Sequence, residues 1–277
     1  MIFVYSEWKK FCERLRDSGA NCVTACQIMQ KTAREPYVIL KHDVETNVPR
    51  AYKMAEIEHN CGISGSFYVQ AYLLKKEKNI RLLRRIQQMG HEVSYHHDVL
   101  DSSGGDMVRA ENEFEKNRLL FQTNGFDIVS VCQHGNPIVN RSGYHSNRDF
   151  FRSGIIQEKY PSLADIMVNF KEKAQTEYLY FSDAGRKLTM IFDPLTNDIV
   201  NSDDKNIVFD SLEDVLQYIG ARNGIISIHP HRWASSELTV EVKNLAFKMI
   251  RAMAKAMVRI PLLKKLMGKF YFLAKRI

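Results

Sequence analysis

The sequence predicts an α/β fold with parallel strands and a ligand site at the carboxyl ends of those strands. Short apolar runs alternate with helical patterns along most of the chain, the signature of parallel pairing through helical crossovers. Four of the runs also end abruptly in ionisable, metal-competent residues. Tyr37–Leu40 leads into His42, Asp43 and Glu45; Val93–Tyr95 into His96, His97 and Asp98; Ile128–Cys132 into His134; and Ile225–Ile228 into His229 and His231. In parallel α/β folds the carboxyl ends of the strands bind ligands and do chemistry, while the opposite rim serves stability. The pattern points to an enzyme.

Taken in order, Ser6 to Asp17 reads as a helix closed by Gly19, followed by a loop of small residues and cysteines. A strand covers 37–42. Asn47-Val48-Pro49 opens the next helix, because proline suits a first helical turn; Ala51, Met54, Ala55 and Ile57 share one face and Gly62 ends it. Gly65–Val69 is a strand, Ile80–Met89 a helix stopped by Gly90, and Glu92–His96 a strand. Asp106–Phe121 reads as a helix and Asp127–Cys132 as a strand. From Pro137 to Ser162 there is no clear periodicity, so a long loop crossing the active rim is expected. Strand signals follow at 177–181, 187–192 and 206–209, then a capping box at Ser211–Asp214 that opens a helix to Tyr218, and a last strand at Gly224–Ile228.

Composition narrows the class of protein. With 277 residues, 45% apolar and 26% charged, the chain is long enough to bury a sizeable core and is neither disordered nor fibrous. No apolar run approaches the roughly 18 residues that a spanning helix needs. The N-terminal segment turns charged too early for a signal peptide. Five cysteines without paired spacing suit reduced thiols, so a cytoplasmic location is expected.

The net charge of +7 is uneven: residues 241–277 hold ten basic side chains and one acid, leaving 29 basic and 31 acidic in the first 240. The expected division is therefore a catalytic body at 1–240 and a basic amphipathic helical tail at 241–277. A near-neutral body argues against nucleic acid as a partner. In the tail, Leu245, Met249, Ile250, Met253, Met257 and Val258 recur at helical spacing; Pro261 interrupts, and Leu262, Leu263, Leu266, Met267, Phe270 and Phe272 resume among lysines. The first helix is expected to pack on the body. For the second, contact with an anionic lipid surface is favoured, which would put the protein at the inner membrane surface.

Residues two apart on a strand share a face, so Asp43 and Glu45 face one cavity if their strand runs that far. Adjacent carboxylates repel unless a cation or shared proton intervenes. With His96 and one further imidazole they make a mixed nitrogen and oxygen ligand set suited to zinc or another first-row metal. The simpler alternative is that the two acids cap the following helix or pair with Arg50. His42, His91 and His145 are read as structural.

The motifs, in order, resemble the polysaccharide deacetylase, or NodB-like, superfamily of carbohydrate esterase family four. Leu40–Glu45 resembles its first acidic motif and Gly62–Tyr68 its second strand; Gly90–His96 is similar to the segment that delivers a metal-binding histidine. Gln133–Pro137 resembles a third-motif loop of a deacetylase-like branch, Ile228–Trp233 the late motif supplying the catalytic acid, and Phe181–Asp183 a further piece of that branch. Together these span about 35 to 235.

The resemblance implies a distorted (β/α) barrel of the seven-strand kind. It also implies metal-dependent hydrolysis of an N-acetyl group on a sugar in bacterial surface-polysaccharide metabolism; a tail lying on anionic lipid would bring such an enzyme to lipid-linked sugars. Asp43 would be the general base and His229 the acid; Glu45, His96 and a third ligand would hold the metal; Asp183, Trp233 and Tyr144 would contact sugar. Where a second metal-binding histidine is usual, four residues after the first, this chain has Leu100. His97, Asp98 or His134 could complete the site, and His134 is favoured because it lies just past a neighbouring strand. Three rivals stay open: hydrolysis of another non-peptide C–N bond, a catalytically degenerate sugar-binding protein and, least favoured, nucleic-acid binding through the tail.

Overall fold

Runs rich in Val, Ile, Phe and Tyr form the strands β1 (Val38–Val44), β2 (Ser66–Val69), β3 (Glu92–His97), β4 (Ser130–Gln133), β5 (Ala164–Asp165), β6 (Leu179–Ser182), β7 (Leu188–Met190), β8 (Ile207–Phe209) and β9 (Gly224–Ile228). The structure, a computed structural model, describes residues 3–136, 139, 141–184, 187–191 and 207–240, with 242, 245 and 249. The strands join in one sheet in the order β5-β4-β3-β2-β1-β9-β6-β7-β8. All neighbours from β5 to β6 run parallel, and β7 and β8 add an antiparallel edge.

The α/β expectation holds; the seven-strand barrel does not. Among the described residues the sheet has nine strands and is open, with β5 and β8 at its edges. Two features keep it from closing. The two-residue β5 offers little backbone to pair across the gap, and the far edge of β6 is taken by β7.

Most of the expected helices form: α1 (Tyr5–Asp17), α3 (Val48–Asn60), α4 (Glu77–Gln88), α6 (Met107–Thr123) and α10 (Leu212–Ile219). Helix α3 begins where proline placed it, and its cap is Asn47, whose side chain accepts from the Arg50 amide. Asp43 and Glu45 are thereby released from capping, and Arg50 donates instead to the His231 carbonyl. The expected loop at 137–162 contains two short helices, α7 (Arg148–Arg152) and α8 (Gly154–Lys159). At five and six residues these are too short for helical periodicity to show, and they are held by burial of Phe150, Phe151 and Ile156. Three further short helices escaped the sequence for the same reason: α2 (Ala25–Met29), α5 (Val99–Ser103) and α9 (Phe170–Ala174).

Strand alternation sorts the sheet into two faces. Val38, Leu40, Phe181, Ile226 and Ile228 join Trp8, Phe11 and Leu15 of α1 in one core on the outer face. His42 follows them: its Nε2 lies 2.9 Å from Glu58 Oε1, which also accepts from Trp8 Nε1 at 3.0 Å, and its ring stacks on Phe67. His91 is anchored by the Gly65 amide. Both histidines are structural, as expected. The inner face carries Ile39, Tyr68, Cys132, Tyr180 and Ile225, packed against residues of α2 and α9, together with the polar residues of the candidate site.

At the C-terminal end, 237–240 are helical, as are 242, 245 and 249, while the rest of 241–277 lies outside the described residues. Leu245 and Met249 were expected to pack on the body. Instead Leu238, Val242, Leu245 and Met249, at helical spacing, are exposed by 58–71%. Among the described residues, no helix is long and apolar enough to cross a membrane.

Candidate metal centre

The site is built at the carboxyl ends of β1, β3, β4 and β9 on the inner face. Strand β1 runs through Val44, so Asp43 lies within it and Glu45 one residue beyond. Both carboxylates are nearly buried. The turn after β1 is fixed by the Tyr72 hydroxyl, which donates to the Glu45 carbonyl at 2.6 Å.

His96 is 2% exposed, and its Nδ1 lies 3.0 Å from the Cys132 carbonyl. A carbonyl can only accept, so Nδ1 carries the ring proton and Nε2 keeps its lone pair, the arrangement that a metal ligand needs. Burial is the main reason that the His96 pKa falls to about 3; Asp43 opposes the shift and His134 adds to it. His134 Nε2 lies 2.9 Å from Glu45 Oε1. Donor atoms of Glu45, His96 and His134 all fall within 4.8 Å of one another. Two imidazoles and a carboxylate on three neighbouring elements suit a borderline divalent cation such as zinc. The residues present fit the metal that the resemblance implies.

The three residues left open for the third ligand separate clearly. His97, next to His96 on β3, points to the opposite face, where its Nε2 meets Asp165 at 2.8 Å among Phe114, Phe150 and Phe151. Asp98 sits at the start of α5. His134 is the one brought to Glu45 and His96. Leu100, at the position where a histidine is usual, is a core residue at 1% exposure. Its amide and that of Asp101 donate to Asn147 Oδ1, and Asn147 Nδ2 donates to the His134 carbonyl at 2.8 Å. Asn147, fully buried, thus ties the loop after β4 to α5.

His229 ends β9. Its Nδ1 lies 2.5 Å from Asp183 Oδ1, and its Nε2 lies 3.8 Å from Asp43 and 4.0 Å from Glu45. Asp183 also accepts from the His229 amide at 3.0 Å and pairs with Arg232 at 2.8 Å. Burial alone would raise the Asp183 pKa, but the charges of Arg232 and His229 outweigh it and hold the acid well below its usual range.

Asp183 is fully buried behind His229, so it orients that ring and is not placed to touch sugar. Trp233 is corrected as well. It has 0% exposure and packs against Phe3 and Trp8, because the turn at Pro230–Arg232 carries it to the outer-face core. Tyr144, half-buried, donates to Asp101 at 3.0 Å.

Sequence reasoning missed Lys41. Its ammonium lies 2.6 Å from both oxygens of Asp43 and 3.1 Å from Ser227 Oγ, with the side chain 1% exposed. Burial, the largest single influence, disfavours the charge on Lys41, but Asp43, Cys132 and Tyr180 together outweigh it and the pKa ends well above the usual value. Burial likewise pushes the Asp43 pKa up, and Lys41, His96 and His229 together bring it below its ordinary value. The same alternation that put Asp43 and Glu45 on one face puts Lys41 there too, and that was the available signal.

No family model and no curated protein matches the chain. A solved structure described as a CE4 family pseudoenzyme from Bacillus anthracis is similar at 12% identity and a TM-score of 0.36, covering 77% of this chain and 61% of that one. The chain therefore spans about three fifths of the length of that protein.

Proposed function

We propose that the chain is a metal-dependent hydrolase that removes an N-acetyl group from a sugar, the body at 1–240 carrying the chemistry. Its support is one juxtaposition. Glu45, His96 and His134 bring three donor atoms within 4.8 Å of one another, and Asp43 and the His229 ring stand 3.8 Å apart beside them. A base, an acid and a three-ligand set thus meet at the carboxyl ends of parallel strands, the rim where such folds do chemistry.

Glu45, His96 and His134 would hold the cation, which when bound would supply Lewis-acid charge to the scissile carbonyl and to the attacking water. Asp43, fixed by Lys41 and Ser227, accepts the proton of that water. His229 presents Nε2 to the reaction because Asp183 holds Nδ1, and it hands a proton to the departing amine, since an unprotonated amide nitrogen leaves poorly. The remaining inner-face walls, with Tyr68 and Tyr180, exclude bulk water around the Asp43–Lys41 pair.

The test is acetate release from N-acetylated sugars by the zinc-loaded protein. Activity is expected, with kcat reduced about 10²–10⁴-fold in Asp43→Asn and in His229→Gln. Absence of acetate from every N-acetyl sugar, or full activity in Asp43→Asn, would refute the proposal.

The exposed apolar residues Leu238, Val242, Leu245 and Met249, together with the basic excess of 241–277, support contact between the tail and anionic lipid, which would bring the site to lipid-linked sugars. Sedimentation with anionic liposomes should then be lost on truncation after 240. Equal sedimentation of the full and truncated chains would refute that contact.

A further inference from the structure

Two overlapping donor sets share His96. One is Glu45, His96 and His134; the other is Asp43, His96 and Cys132, and in each the ligand atoms lie within 4.8 Å of one another. With Nδ1 of His96 committed to the Cys132 carbonyl, a single ring nitrogen is left for both, so the sets exclude each other. The second set is chemically different, because its thiol is a soft ligand and the first set has none. The sequence places no constraint on which of them a cation would use.

Lys41 does. Its ammonium contacts both oxygens of Asp43 at 2.6 Å and Ser227 Oγ at 3.1 Å, and Ser227 lies 3.3 Å from Asp43 as well. The rings of Tyr68 and Tyr180 flank the ammonium at 5.9 and 6.0 Å. A lysine at 1% exposure with this set of partners is a fixed internal cation, since a buried lysine is tolerated only when it is paired. It satisfies the one carboxylate that the second donor set needs, and its positive charge repels any cation placed beside it.

We infer that Lys41 is a positioning residue that selects between the two donor sets: by holding Asp43 it keeps that carboxylate out of metal coordination, so that the cation goes to Glu45, His96 and His134 and the thiol of Cys132 takes no part. This rests on the metal-centre reading above. It adds that, once Lys41 is neutralised, the cation moves to Asp43, His96 and Cys132, with the thiol proton released to solvent as the sulfur–metal bond forms.

The test uses cobalt(II), whose thiolate complexes absorb strongly where nitrogen and oxygen complexes do not. The unaltered chain should bind one equivalent without a thiolate band. Lys41→Met should bind one equivalent with that band, Lys41→Arg should not develop it, and Lys41→Met combined with Cys132→Ser should lose it. Cys132→Ser alone should leave affinity within about twofold of the unaltered chain, which keeps the inference testable even where Lys41→Met does not fold. A thiolate band in the unaltered chain, a tenfold or greater loss of affinity in Cys132→Ser, or a folded Lys41→Met that binds cobalt without the band would overturn the role of Lys41 and leave the metal centre standing. Failure of both the unaltered chain and Lys41→Met to bind any cobalt would overturn both.

Discussion

Lys41 and Asp43 should behave as a single energetic unit. Lys41 is 1% and Asp43 6% exposed, and the ammonium touches both carboxylate oxygens at 2.6 Å. Lys41→Met leaves a buried carboxylate without its partner, a change that costs about 3–5 kcal/mol at comparable sites. Asp43→Asn strands the buried ammonium at a similar cost. Independent effects would add to about 6–10 kcal/mol, but the double variant removes both charges together and should cost only about 0–3 kcal/mol, because no uncompensated charge remains. The assay is urea unfolding of the four forms at pH 7 in the presence of a chelator. Strong non-additivity is expected. If the single costs add, or if Lys41→Met costs under about 1 kcal/mol, the buried pair is not what fixes Asp43.

Other outcomes follow from the same geometry. Burial, partly opposed by nearby carboxylates, holds His96 and His231 neutral down to about pH 3, against an ordinary histidine value of 6.5. Above 6.5 neither ring is protonated in either state, so they contribute nothing there. As pH falls from 6.5 toward 3, the unfolded chain gains protons that the folded one refuses, and the metal-free protein should lose about 1.4 kcal/mol per pH unit for each ring; His231→Asn should flatten that slope measurably. His97→Asn should lower the urea midpoint while leaving zinc stoichiometry unchanged, because His97 pairs with Asp165 on the far face. Trp233→Ala should cost about 3–5 kcal/mol through the cavity it leaves beside Trp8 and Phe3, again with the same zinc uptake; a loss of sugar affinity without a loss of stability would contradict its placement.

Much of this site was legible because strand ends are local in sequence. Asp43, Glu45, His96, His134 and His229 each follow a short β-prone run, and parallel pairing brings such ends together. In the sheet the period of two separates His96 from His97 and His42 from Asp43, but in the sequence it was applied only to Asp43 and Glu45, which is why the choice among His97, Asp98 and His134 stayed open. Lys41 was hidden because a lysine in a motif looks like a solvated residue; only the sheet shows that its face is the interior. Trp233 and Asp183 were misplaced for a related reason. Whether a residue near a site faces the cavity or the core depends on one short turn, and that turn leaves no periodic mark. The barrel failed at the edges, where closure depends on the length of β5 and the direction of β7 and not on the pattern of any single strand.

The proposed chemistry requires one cation on Glu45, His96 and His134. Zinc titration of the dialysed protein should give one equivalent per chain, abolished or weakened at least tenfold by Glu45→Ala, His96→Ala and His134→Ala and unchanged by His97→Asn. No zinc uptake by the unaltered chain, or uptake indifferent to all three alanine substitutions, would contradict it.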